Sequence, residues 1–272
     1  MPVAQLRSVA EMHSRRRVAG RLLTPADIPG LVAWYDPTDA TTITQAGGFV
    51  SQINDKSSNG YHLAQGTGAN QPAYVVGGVN GNNTIQFAGN HWLLNTGINL
   101  NGASYSAFTI GRLTSGSGTL ARLCALSVTG VGDVGVNGFI PLVRQTTEAQ
   151  ISAYAGAAHV DHSISLDVWM MLAVSRAAAT LVSYFNGGNN KTASPTNALA
   201  ALTRICVGSG ITSTGAADTH YWVGSWAGTL LYSGVLADAD RQKVEGCLAW
   251  NLGLQAQLVA DHPYFSSPPR AS

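Results

Sequence analysis

From Leu31 onward the chain is written as short apolar runs, rich in β-branched and aromatic residues, separated by clusters of Gly, Asn, Ser and Thr. Leu31 to Tyr35, Thr84 to Phe87, Ala107 to Leu113, Val134 to Val143, Val168 to Ser175, Thr180 to Phe185 and Tyr221 to Tyr232 have the length and composition of strands. Asn-Gly pairs at Asn59, Asn80, Asn101, Asn137 and Asn186 supply the positive-φ residues that tight hairpins need. No helix-length period interrupts residues 31–235, so a parallel βαβ architecture is not expected.

The helical period occurs only at the two ends. Val3, Leu6, Val9, Ala10 and Val18 recur at helical spacing and are stopped by Gly20 and Pro25, which predicts an amphipathic helix within an arm over residues 1–24. A second helix is predicted over residues 238–252, with Asp238 as N-cap, Asp240 in the first turn, and Gly253 as the stop. Its apolar face, Val244, Cys247, Leu248 and Leu252, should pack on the β body. Residues 25–272 are therefore expected to form one all-β domain that includes this helix.

The 272 residues suit a single large β core, and 45% hydrophobic against 11% charged residues is a globular balance. The net charge of +1 hides a division: Arg7, Arg15, Arg16, Arg17 and Arg21 face Glu11 alone in the arm, whereas the remainder is slightly acidic. Such an arm is expected to attach to an acidic surface, and these five arginines are the candidate attachment residues. The body has no basic face for phosphates, so no direct nucleic-acid role is expected. Cys124, Cys206 and Cys247 are widely spaced in apolar contexts, as buried free thiols would be. No apolar run is long enough for a membrane span, and no secretory leader is legible.

Several ordered segments resemble one family. Ile28-Pro29-Gly30-Leu31-Val32-Ala33-Trp34-Tyr35-Asp36-Pro37-Thr38-Asp39 is similar to an "LPGLVLWLDASD" entry strand, and Asn54-Asp55-Lys56-Ser57-Ser58-Asn59-Gly60-Tyr61-His62 to a "DKSGNGxH" hairpin. Trp169 to Val174 followed by Leu181 to Gly187 resembles a tryptophan-led strand joined to a "YxNG" strand, and the final helix with His262-Pro263-Tyr264 completes the set. Together, across residues 28–268, these resemble the concanavalin A-like lectin and laminin-G-like jelly rolls, particularly a branch found in bacteriophage structural proteins. The resemblance implies an antiparallel jelly-roll sandwich, and such a fold hosts sugar binders, glycosidases and inert modules alike.

The chemistry legible in the residues is sparse. Glycoside hydrolysis uses two carboxylates about 5 to 10 Å apart, yet the glutamates are only Glu11, Glu148 and Glu245, and no E-x-D-x-x-E strand occurs. The nearest acidic pairs are Asp36 with Asp39 and Asp161 with Asp167. Gly130-Val131-Gly132-Asp133-Val134-Gly135 has the letters of a dinucleotide loop, but the strand-like residues after it favour a glycine-rich connection. His159-Val160-Asp161-His162 reads as a polar loop rather than a metal site, and a loop-rim calcium ion at Asp36, Asp39 and Asp55 is the one cofactor to look for. His91-Trp92 and Tyr221-Trp222 could form an aromatic platform for a glycan, although tryptophans more commonly fill a core.

Composition and resemblance together point to a non-enzymatic bacteriophage virion component, a capsid decoration or tail-fibre module. It is expected to be oligomeric and attached to other virion proteins through its arm. The alternatives are an adhesin for host surface glycans and, with less support, a glycosidase.

Overall fold

The computed structural model describes residues 20–100, 104–114, 116, 118–133, 138–144, 150–155, 158–196 and 198–271. Seventeen strands follow one another among the described residues: β1 (Leu31–Tyr35), β2 (Ile43–Ala46), β3 (Phe49–Ile53), β4 (Leu63–Ala64), β5 (Ala73–Val79), β6 (Asn82–Ala88), β7 (Leu93–Asn95), β8 (Tyr105–Leu113) and β9 (Arg122–Ser127). Then come β10 (Phe139–Arg144), β11 (Gln150–Ala155), β12 (Ala158–Ser163), β13 (Trp169–Ala177), β14 (Thr180–Phe185), β15 (Gly188–Ala193), β16 (Arg204–Val207) and β17 (Val223–Ser233). Among the described residues one α-helix, α1 (Asp238–Asn251), follows β17.

All strand pairings are antiparallel, and they form one continuous, nearly closed sheet. From one open edge the neighbours run β15, β14, β13, β8, β17, β6, β5, β3, β4, β7, β16, β9, β10, β11 and β12, with β1 beside β17 and β2 beside β3. Hairpin turns form at two of the legible Asn-Gly pairs. Asn80 and Gly81 (φ +46 and +85) join β5 to β6, and Asn186 and Gly187 (φ +51 and +79) join β14 to β15.

The core sits inside the curved sheet and draws on nearly every strand, including Tyr35, Phe87, Leu123, Leu172, Trp222 and Trp226. Alternation puts neighbouring residues on the outer face. Ile205 and Val207 point inward, while Cys206 joins Ala125, Ile140, Val143 and Ile211 in a small outer cluster flanked by Trp92, Leu94, Leu120 and Tyr154. On the opposite outer face Val244, Cys247, Leu248 and Leu252 of α1 cover Phe108, Ile110, Met171, Leu230 and Tyr232. Each such fully buried side chain contributes roughly 1.5–3 kcal/mol. All three cysteines are free and buried, and burial pushes the Cys124 and Cys247 thiols up to about 12.

Two expectations are corrected at the ends of the chain. The helical arm is not supported: Leu22 bridges to Arg270, the Leu23 amide donates to the Pro269 carbonyl at 3.1 Å, and Leu23 is buried beneath α1, so residues 20–24 are an extended segment clasped by the C-terminal tail. The rest of the proposed arm lies outside the described residues. Ala237, not Asp238, occupies the N-cap; Asp238 is the first helical residue and pairs with Arg241 at 3.3 Å. All-β architecture with a C-terminal helix stands as expected.

Candidate functional site

The resemblance-bearing hairpin turns out to be structural. Asp55 is buried, and its oxygens accept from the Trp34 amide (2.9 Å), the Ser57 amide and hydroxyl (2.9 and 2.7 Å), and the Tyr61 amide (3.1 Å), which fixes the turn against β1. Lys56 lies over the Trp34 ring at 4.4 Å and pairs with Asp36 and Asp39 at 2.8 and 2.9 Å. The ammonium thus stands where a calcium ion would need those two carboxylates. No group of three or more His, Cys, Asp or Glu positioned to hold a metal occurs among the described residues.

His159 to His162 form part of β12 rather than a loop. His159 faces Asp161 at 3.6 Å, and His162 turns the other way to meet Ser183 at 2.7 Å. Arg21 pairs with Asp27, while Arg7, Arg15, Arg16 and Arg17 lie outside the described residues.

The four platform candidates divide. Trp222 is fully buried in the main core and presents no face to solvent. Trp92 and Tyr221, distant in sequence, are half-buried and stack with ring centroids 6.3 Å apart and planes 26° from parallel. His91 is half-buried, its Nδ1 accepts from the Ala88 amide at 3.3 Å, and burial holds its pKa below the usual value.

Beside the stacked pair the fold assembles a polar cluster from three separate segments. Arg122 opens β9 and is bridged to Tyr221; Asp133 lies within the glycine-rich connection; Asp218 and His220 lie just before β17. Arg122 Nε lies 2.7 Å from Asp133 Oδ2, its Nη1 lies 3.7 Å from Asp218 Oδ2, and His220 Nδ1 lies 2.8 Å from that same oxygen. The two carboxylates therefore share one guanidinium, which keeps them within the roughly 10 Å that glycoside hydrolysis spans. Desolvation raises Asp133 to about 6 despite the adjacent Arg122, with Asp218 adding to the shift. Asp133 Oδ2 accepts from the Ile211 amide at 3.2 Å, but Oδ1 is buried and has no hydrogen-bond partner among the described residues.

Asp218 is the more accessible member, at 16% side-chain exposure against 0% for Asp133. Its Oδ1 accepts from the Gly210 and His220 amides at 3.1 and 2.7 Å, so backbone donors hold its charge in place. Gly210 is required there, because a Cβ at that position would lie 2.4 Å from the Asp218 carboxylate. Gly138 is required for a similar reason: its Cβ would strike the Asp133 carbonyl.

Asp133 and Asp218 were not legible as a pair. They are separated by much of the chain, one inside a glycine run and the other in a Thr-Gly-Ala loop, and only closure of the sheet brings them together.

The sequence matches no protein-family model and no curated protein. Solved structures are similar in fold. A GH54 α-L-arabinofuranosidase aligns with a TM-score of 0.58 at 16% identity, over 86% of this chain and 62% of that one. A Trypanosoma rangeli sialidase aligns with a TM-score of 0.58 at 12% identity, over 92% of this chain and 39% of that one. Domain 4 of AbnA, a GH43 extracellular arabinanase from Geobacillus stearothermophilus in complex with arabinotriose, aligns with a TM-score of 0.50 at 16% identity, over 78% of this chain and 96% of that one. The chain thus spans under two thirds of the arabinofuranosidase and the sialidase.

At these identities the likeness establishes an all-β fold shared with these structures. It corrects the expectation of a non-enzymatic bacteriophage virion component, because the similar structures are glycosidases or a domain of one, and nothing in them carries a virion context.

Proposed function

We propose that the chain is a carbohydrate-active protein of glycoside-hydrolase type, built on the lectin-like jelly roll that the sequence motifs resemble. In it, a saccharide lies against Trp92 and Tyr221, and Asp218 is the catalytic carboxylate. The observation that carries the reading is the pair of carboxylates on one guanidinium beside a half-exposed aromatic stack. With Asp133 raised to about 6, its carboxyl keeps a proton in mildly acidic solution. Asp218, held by backbone donors as the carboxylate, takes a proton from water as the water hydroxyl joins the anomeric carbon, and the leaving oxygen takes its proton from solvent. Asp218, the member open to solvent, is placed to meet the bond; Asp133 acts through Arg122 as a positioning residue. The neighbours in fold direct the choice of substrate, since their names include an arabinofuranosidase, an arabinanase domain holding arabinotriose, and a sialidase.

The test is turnover by the full chain of 4-nitrophenyl α-L-arabinofuranoside, arabinan and a sialoside. Release of product from one of them is expected, falling by roughly 10²–10⁴-fold in Asp218→Asn with an unchanged circular dichroism spectrum. No turnover of any of the three, or equal turnover in the variant, overturns the reading.

A further inference from the structure

A second polar cleft, lined by none of these residues, lies where the sheet fails to close. β12 and β15 are its open edges, and no backbone ladder joins them. Side chains span the seam instead: His162 Nε2 meets Ser183 Oγ at 2.7 Å in the interior, and Lys191 Nζ donates to the Asp161 carbonyl at 2.5 Å. Between the edges is a cleft of about 400 Å³, lined by His162, Ser163, Phe185, Asn189, Asn190 and Lys191. That volume is in the range of small-ligand sites, roughly 300–1,000 Å³.

The wall of this cleft is shaped by a bulge. Ser183 pairs with Lys191 and Phe185 with Gly188, so Asn189 and Asn190 together oppose the single residue Tyr184. Asn189 adopts φ +45 to make this possible. A bulge of this kind re-aims side chains that plain alternation would send to opposite faces. Neither carboxamide makes a hydrogen bond to any described residue, leaving donors and acceptors of both kinds unengaged. Phe185 is half-buried and backed by the His162 ring, stacked at 5.5 Å and 19°. Burial and the nearby Lys191 hold that imidazole down at about 4, so it is neutral near pH 7. The Lys191 ammonium is already bound to the Asp161 backbone carbonyl. An aromatic face, two carboxamides, a hydroxyl and an ammonium already bound to a carbonyl are the complement of a ring bearing adjacent hydroxyls.

We infer that the cleft between the open edges of the sheet is a second saccharide site, which takes an uncharged pentose or hexose residue with its ring against Phe185 and its hydroxyls on Asn189 and Asn190. The class of ligand rests on the carbohydrate reading above, but the site does not depend on the acid pair. Full-length Asp218→Asn protein, which leaves the probe intact, is titrated with arabinotriose, cellotriose and a neutral galactoside while backbone amide and Asn side-chain NMR signals are followed. One of these saccharides is expected to shift the signals of residues 185–191 and to do so equally in a Trp92→Ala background. Asn189→Gly with Asn190→Ala is expected to weaken binding at the seam about tenfold or more; the glycine retains the left-handed backbone, and an otherwise unchanged spectrum shows that the fold is kept. Shifts confined to the Trp92 and Tyr221 region, or undiminished seam binding in the double variant, overturn the inference. Seam binding in a protein that hydrolyses nothing leaves it standing and removes only the hydrolase reading; no shift with any saccharide overturns it.

Discussion

Two buried clusters in this molecule use the same three kinds of side chain, an arginine, carboxylates and a histidine, yet they are finished differently. Under α1, both oxygens of Glu245 accept from Arg241 Nη1 at 2.6 and 2.7 Å, and His262 Nε2 meets Oε2 at 3.1 Å; the Glu245 and His262 side chains are fully buried. Arg241 also covers the Tyr184 ring at 3.8 Å. Across the protein, Arg122 holds Asp133 and Asp218, but Asp133 keeps an unpartnered buried oxygen and Asp218 reaches solvent. The first cluster uses up its hydrogen-bonding capacity in joining the C-terminal tail to the helix. The second leaves one buried acceptor over and one carboxylate partly open to solvent. A buried ion network completed from within is a clamp, whereas one left incomplete beside an aromatic stack is a place for chemistry.

The comparison can be broken first at the clamp. Glu245→Ala should leave Arg241 and His262 without their shared partner in a dry interior, a loss of about 3–5 kcal/mol in denaturant unfolding. A loss below 1 kcal/mol would mean that the tail is held by packing alone.

A second test uses pH, because two buried groups act in opposite senses. Asp133 is raised to about 6 when folded, so between the usual carboxylate range and pH 6 the folded state holds the extra proton and stability falls as pH rises. His162 is lowered to about 4, so from pH 4 to its ordinary value the unfolded state holds the extra proton and stability rises with pH. The two slopes oppose one another in the parent protein. Asp133→Asn should expose the rising limb and His162→Gln the falling one, each on the order of 2 kcal/mol over the window. Parallel curves for both variants would refute these assignments.

The smallest expected effect sharpens the site itself. Trp92→Ala should raise KM for the hydrolysed saccharide about tenfold with kcat little changed, as loss of a binding surface does. A fall in kcat alone would place the sugar elsewhere.

Much of the fold was readable in advance because local rules governed it. Strand runs such as Thr180 to Phe185 appeared where β-branched and aromatic residues cluster, and the Asn80-Gly81 and Asn186-Gly187 turns formed because those pairs tolerate positive φ. The helix face with Val244, Cys247, Leu248 and Leu252 packed as its spacing required. The helical spacing of Val3 to Val18 lies outside the described residues, whereas the edge offered by Pro269 and Arg270 settled residues 22–23 as extended chain. Glycine-rich residues near Asp133 gave no sign of chemistry, since an aspartate in a loop is ordinarily solvated.

By itself, then, the order of residues determined an antiparallel β protein with buried thiols, hairpins at Asn-Gly pairs and one covering helix, since each of these depends on neighbours within a few positions. Which tryptophan is swallowed and which stays at the surface, and which aspartates meet across an arginine, was decided only by the tertiary structure. Burial and charge proximity depend on strands that are remote in sequence and meet when the sheet curls round upon itself.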